Sequence, residues 1–174
     1  MSKVLILSSS PRKGGNSDLL CEQFAKGAKE AGHDVEKIRL ADLEIGFCTA
    51  CYACKSGPCP QKDDAAEVIE KMLAADAIVL ATPVYFYTMC AQLKALLDRT
   101  VSVFPRLREK KFWYVMTMAD TDREMLLGTL EALRGFLACC EDSVEAGIIC
   151  GPGVDAKGEG LSFSALEEAR HAGV

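Results

Sequence analysis

Five short runs rich in β-branched, leucine and aromatic residues punctuate the chain: KVLILS from Lys3, DVEKIRL from Asp34, DAIVLAT from Asp76, KFWYVMTM from Lys111 and VEAGIIC from Val144. Runs of this length and composition are strand material. The segments between them are mostly long enough for helices, and such alternation implies a parallel sheet with crossover connections. The third and fourth runs are almost continuously apolar, as in central strands covered on both faces, whereas DVEKIRL alternates and suits an edge.

Between the first two runs, Leu20, Phe24, Ala28 and Ala31 fall on one face at helical spacing, with Asn16 or Ser17 placed to cap the start and Gly32 to end it. Asp63 and Asp64 can cap a helix running to Ala75. Further helices are expected over Cys90–Ser102, Arg123–Cys140 and Ser162–His171. Five strands with crossover helices make a doubly wound sheet with helices on both faces. Two arrangements compete: the flavodoxin-like order 2-1-3-4-5 and a truncated dinucleotide-binding fold.

Composition narrows the function. At 174 residues, 49% hydrophobic and 26% charged, the chain is expected to be a single domain, 1–174, with a full core. The net charge of -5 is spread in mixed-sign stretches such as EKIRLADLE, with no basic stripe to follow a phosphate backbone, so nucleic acid is not an expected partner. The opening MSKVLILSSS is too short in apolar residues for a signal or spanning segment, and neither a membrane partner nor a location outside the cytoplasm is expected. Nine cysteines in a reducing compartment argue against a disulfide framework. Scattered Cys21, Cys90, Cys139, Cys140 and Cys150 read as small buried hydrophobes.

Two loops carry candidate chemistry. After the first strand comes SSSPRKGGNSDLL, Ser8 to Leu20, where a helix N-terminus emerges at the carboxyl end of a strand. Free backbone N–H groups and the positive helix end favour an anion there. Ser10, Asn16 and Ser17 can donate to its oxygens while Arg12 adds charge. The loop is neither a Walker A sequence nor G-x-G-x-x-G. The one degenerate match to the latter, GPGVDA at Gly151–Ala156, lies too near the C-terminus to open a βαβ unit and reads as a surface loop. The third strand runs into TPVYFYTMCAQLKALLDR, Thr82 to Arg99, which sets Thr82, Pro83, Tyr85, Phe86 and Tyr87 beside the first loop. Three aromatics there suit a planar ligand, although they would equally serve to cover the sheet end.

A third stretch, CTACYACKSGPC, places Cys48, Cys51, Cys54 and Cys59 in the spacing C-x2-C-x2-C-x4-C, with Pro60 next. Two consecutive C-x2-C steps wrap backbone around the corner of an iron-sulfur cubane, as in ferredoxin runs. Zinc ribbons separate their cysteine pairs further, and only His33 and His171 could complete a zinc site, which makes zinc the poorer fit. Bare thiols are the third reading. The stretch leaves the second strand at the sheet edge where the other two loops gather, so a cluster is expected close to the ligand held there.

SSSPRKGGNS and TPVYFYTMCAQLKALLDR together resemble the flavodoxin-like NADPH-dependent FMN reductases, and the cysteine motif resembles their iron-sulfur flavoprotein branch, from Lys3 to about Gly160. The resemblance implies the 2-1-3-4-5 sheet and FMN as cofactor. By position, Ser10, Arg12, Asn16 and Ser17 would hold the FMN phosphate; Pro83, Val84, Tyr85 and Phe86 would line the isoalloxazine; Ala119 and Asp120 would supply third-loop contacts. Two departures stand out: Ser9 replaces a common glycine, and ADTD lacks the glycines many members use against the ring. The implied activity is an NAD(P)H oxidoreductase that moves electrons from NADPH, NADH or a ferredoxin-like donor through FMN, and a 4Fe-4S cluster on the four cysteines, to a small-molecule or protein acceptor. Flavin carries that chemistry and no catalytic acid or base is nominated. A non-enzymatic electron carrier, a plain reductase without a cluster and a metal-binding module without flavin are the alternatives. Excess apolar surface on the aromatic loop, with the resemblance, implies a homodimer or homotetramer.

Overall fold

A computed structural model of the chain describes residues 1–158 and 161–174. Its strands are β1 (Lys3–Ser8), β2 (Asp34–Arg39), β3 (Ala77–Tyr85), β4 (Thr88–Met89), β5 (Lys111–Thr117) and β6 (Val144–Gly151). Its helices are α1 (Asn16–Glu30), α2 (Ala65–Ala74), α3 (Ala91–Arg99), α4 (Leu127–Leu137) and α5 (Phe163–Ala172). The parallel strands lie in the order β2-β1-β3-β5-β6, the flavodoxin-like arrangement. Two-residue β4 is the addition: it turns back antiparallel on the end of β3, pairing Val84 with Met89 and Tyr85 with Thr88.

Period-two packing explains why β1 is so apolar. Val4 and Ile6 face one layer with Leu20, Phe24 and Ala28 of α1 and Ala165 and Ala169 of α5. Leu5 and Leu7 face the other, with Val68 and Met72 of α2, Leu93 and Leu96 of α3 and Leu130 and Leu133 of α4. Each of the larger of these side chains, from valine upward, contributes about 1.5 to 3 kcal/mol when fully buried. β2 has no fully buried position, alternating exposed and half-buried over Asp34–Lys37 and staying half-buried to Arg39, as suits an edge strand. The outer layer closes through Gly27, where an added Cβ would lie 1.9 Å from the Arg170 carbonyl oxygen, so only glycine lets α1 and α5 approach so closely.

Helix ends differ from the sequence reading. Gly15, not Asn16 or Ser17, takes the N-cap position of α1 and no side chain caps it; Asn16 bonds instead to the segment around Ala156. Asp63 rather than Asp64 meets the backbone at the start of α2, accepting from the Ala65 N–H. α3 and α4 are shorter than expected, being extended by 3-10 turns at Thr100–Ser102 and Arg123–Leu126. Ser162 caps α5 by accepting from the Ala165 N–H. Cys21, Cys90 and Cys140 are buried, but Cys139 is exposed and Cys150 only half-buried.

Candidate functional site

The loop after β1 is held from below by carboxylate. Asp18, buried in the first turn of α1, accepts from the Ser8 hydroxyl at 2.7 Å, from the Gly14 N–H at 2.9 Å and from Arg39 at 3.1 Å, and pairs with Lys37. Burial alone would raise the Asp18 carboxyl, but bonds from Lys37, Ser8 and Gly14 outweigh it and hold it below the usual carboxylate range. The same pairing raises Lys37 against its own burial. With the folded carboxyl depressed, its stabilisation is complete above the unfolded value, near pH 4, and fades as pH falls through the folded value; the lysine's share is lost only above about pH 10. Asp18→Asn should therefore lower the unfolding free energy by roughly 2 kcal/mol at neutral pH. In urea titrations the gap between parent and variant should close as pH drops below about 4.

Above this support, the loop folds over its own hydroxyls. Ser9 donates to the Ala81 carbonyl and is itself met by the Cys90 thiol at 3.0 Å, which ties the loop to β3 and to the start of α3. The Ser10 hydroxyl accepts from the Arg12 N–H. Ser17 is 1% exposed and its hydroxyl has no partner among the described residues. A buried hydroxyl without a partner costs about 1 to 3 kcal/mol, and here it lies at a helix N-terminus beside free backbone N–H groups. An anion seated there would satisfy both.

A cleft of about 160 Å³ opens at this point. Ser10, Arg12, Asn16, Ser17, Pro83, Val84, Tyr85 and Ala119 line it, as do Thr117, Met118, Val154 and Asp155, which sequence reasoning did not nominate. Asp120 turns away, its carboxylate accepting from the Asp122 N–H within its own turn. Phe86 sits at the tip of the β3–β4 hairpin, 99% exposed, and does not reach the cleft. Nor do Phe86 and Tyr87 cover the sheet end, since Tyr87 is 62% exposed as well. Both adopt positive φ, 48° and 62°, a left-handed pair that tight hairpins usually give to Asn-Gly. That strain, of order 1 to 2 kcal/mol per residue, is held by tertiary contact. Gly128 of α4 leaves room for the Tyr87 carbonyl oxygen, 2.5 Å from where a Cβ would stand.

GPGVDA is more than a surface loop. Val154 is buried and its N–H donates to the Met118 carbonyl. Arg12 donates to the Asp155 carbonyl at 2.7 Å, Asn16 donates to that of Ala156 at 3.0 Å, and the Gly158 N–H returns a bond to Asn16. The segment after β6 thus clamps the loop after β1 from the outside. Its signal in the sequence was the glycine pair at Gly151 and Gly153, the latter at φ +71°, which allows the tight return.

The four motif cysteines line a second and larger cavity, of about 550 Å³, with Tyr52, Arg99, Val101 and Phe104 among its other walls. All four are free thiols. Among the described residues no three of His, Cys, Asp and Glu are gathered tightly enough to hold one metal ion. The Ala53 N–H and the Thr49 hydroxyl pull the exposed Cys51 thiol below its usual range. Behind Cys59 lies Arg99, 4% exposed, which pairs with Asp63 and donates to the Gly46 carbonyl, the Gln61 side chain and the Cys59 sulfur. The pair holds the Asp63 carboxyl low and the Arg99 guanidinium high.

The two cavities share no wall residue. The first loop meets one end of α3 and the cysteine cavity borders the other. Cys90, its N-cap, touches Ser9 of the first loop, and Arg99, its last residue, borders the cysteines, about 13 Å further along the axis. The reason is the path of residues 40–47. Leu40, Leu43 and Ile45 pack into the layer formed with α3, and Arg99 then anchors both Gly46 and Gln61.

A parallel sheet in this order, with a hydroxyl- and glycine-rich loop after β1 and a cleft over the ends of β1, β3 and β5, defines a flavodoxin-like fold. The chain belongs to the NADPH-dependent FMN reductase family, whose profile matches residues 2–141. It is 43% identical over 118 residues to an iron-sulfur flavoprotein of Archaeoglobus fulgidus, covering 66% of this chain and 58% of that protein. It is 46% identical over 99 residues to one of Methanocaldococcus jannaschii, covering 56% and 51%. The chain therefore matches little more than half the length of these relatives. In fold it is similar to the NAD(P)H:quinone oxidoreductase of Methanothermobacter marburgensis, with a TM-score of 0.80 at 20% identity over 99% of this chain and 94% of that one.

Proposed function

We propose that the protein is an FMN-dependent oxidoreductase that accepts electrons from NADPH or NADH and delivers them to a small-molecule or protein acceptor. The observation that carries this reading is the partnerless Ser17 hydroxyl at the foot of a cleft. Ser10, Arg12 and the first turn of α1 line the same cleft. A phosphate there satisfies the donors, and the attached ring extends along Pro83, Val84 and Tyr85 toward Ala119. FMN, when bound, supplies the hydride and electron chemistry. The chain's own residues bind the phosphate, align the ring against β3 and close one side through Val154 and Asp155.

The reading extends to a 4Fe-4S cluster on Cys48, Cys51, Cys54 and Cys59. Four uncrosslinked thiols around one roomy cavity suit a cluster, whose body spreads its ligands further apart than a single ion does. The names of the relatives support it. Nine free thiols fit a reducing cytoplasm, and no helix among the described residues is long and apolar enough to cross a membrane. The hairpin with bare Phe86 and Tyr87 is the surface on which two or four copies of the chain would pair.

Steady-state turnover tests the enzyme reading. Holoprotein with FMN is expected to oxidise NADPH or NADH catalytically with a quinone or free flavin as acceptor, and protein stripped of FMN to lose that activity. Holoprotein that exchanges electrons only with a reduced protein partner, and with neither nicotinamide, is a carrier instead.

A further inference from the structure

Arg99 is an unusual residue to find at the end of an amphipathic helix. Its side chain is 3% exposed and its acceptors lie on both ends of the cysteine loop: Gly46 before Cys48, and Gln61 and Asp63 after Cys59. Those bonds fix the guanidinium plane. One of its N–H groups on Nη2 is then left directed at the Cys59 sulfur, 3.5 Å away. A planar fork anchored by a carboxylate on one side presents its remaining donors in a set direction, which a flexible ammonium does not.

We propose that Arg99 positions Cys59 and raises the reduction potential of the iron-sulfur cluster held by Cys48, Cys51, Cys54 and Cys59; this rests on the cluster reading of those cysteines. The physical cause is the charge that reduction adds. One electron enters the cluster, no bond forms or breaks, and no proton moves, because guanidinium stays protonated throughout the working pH range. The added negative charge is spread partly over the ligand sulfurs, so an N–H donor at sulfur stabilises the reduced state more than the oxidised one. Asp63 offsets the net charge of the arginine, so the effect is carried by the directed N–H and not by a free cation. The other cysteines have no such donor from a buried side chain among the described hydrogen bonds. Cys59 is thus the asymmetric corner of the site.

Two variants separate tuning from simple loop support. Asp63→Asn combined with Arg99→Met removes the ion pair without leaving a buried charge, and Arg99→Lys keeps the charge but loses the fork. Each is reconstituted anaerobically with iron and sulfide, its iron counted, and its cluster titrated against redox dyes with FMN absent. At full iron content, the double variant is expected to favour reduction about tenfold less than the parent, a fall of about 59 mV for a one-electron couple. Arg99→Lys should lie between the two. Equal potentials in all three proteins at equal iron content overturn the tuning role and leave the cluster reading standing. Should the double variant hold no iron, Arg99→Lys decides: a lowered potential supports the inference, and one matching the parent overturns it. A parent that takes up no iron overturns the cluster reading and this inference with it.

Discussion

Reconstituted without oxygen, the parent protein is expected to bind about four irons and as many labile sulfides per chain, and Cys51→Ser to bind almost none. Serine keeps the size of the side chain but removes the thiolate that iron requires. Cys51 is the most informative of the four ligands to replace because it sits at the middle of the two C-x2-C steps, with its thiolate supported by the Ala53 N–H and the Thr49 hydroxyl. Its loss should therefore break the set and not merely loosen one corner. The separation of the cavities adds a second arm. No motif cysteine lines the cleft beside Ser17, so Cys51→Ser should keep the parent's FMN content. Equal iron in parent and variant would reduce the protein to a plain flavin reductase, and loss of FMN together with iron would mean that the two sites depend on each other.

Much of the framework was legible because it rests on local pattern. The near-continuous apolar runs at Ala77 and Lys111 could be satisfied only by strands covered on both faces, and the alternation from Asp34 only by an edge, and the sheet places all three accordingly. The place of the loop after β1 was legible for a similar reason, since clustered hydroxyls and paired glycines between an apolar strand and an amphipathic helix mark a strand-to-helix turn.

What stayed hidden depended on contacts between distant segments. Nothing local to Val154 or Asp155 says that they return to close the cleft; the bonds that bring them there reach back to Met118 and Arg12. Asn16 looked like a cap because its residue type caps helices, but Ala156 and Gly158 compete for the same side chain across the fold and win. The hairpin at Phe86 and Tyr87 was illegible for the opposite reason. Its residues are poor formers of a left-handed turn, and the turn is fitted against Gly128, a contact between distant segments. Likewise the site of the cysteine loop follows from a buried arginine that the sequence offers merely as the last residue of an amphipathic helix.

Replacing Arg12 and Ser17 together by alanine should weaken FMN far more than riboflavin. The Ser17 hydroxyl has no partner to lose among the described residues, so its expected contribution in the holoprotein is to the ligand. Arg12 already spends one N–H on the Asp155 carbonyl, which leaves the rest of the guanidinium for an anion while holding it over the loop. Bonds to a charged phosphate are worth roughly 1.5 to 3 kcal/mol each, so losing both should raise the Kd for FMN by about two to four orders of magnitude. Riboflavin shares the ring but not the phosphate, and its affinity should change only severalfold. Quenching of flavin fluorescence, titrated for both ligands on the same apoprotein, gives the comparison. Since Arg12 also ties down the segment around Asp155, a general loosening of the cleft would weaken the two flavins alike, and that equal loss would show that the loop after β1 shapes the cleft without reading a phosphate.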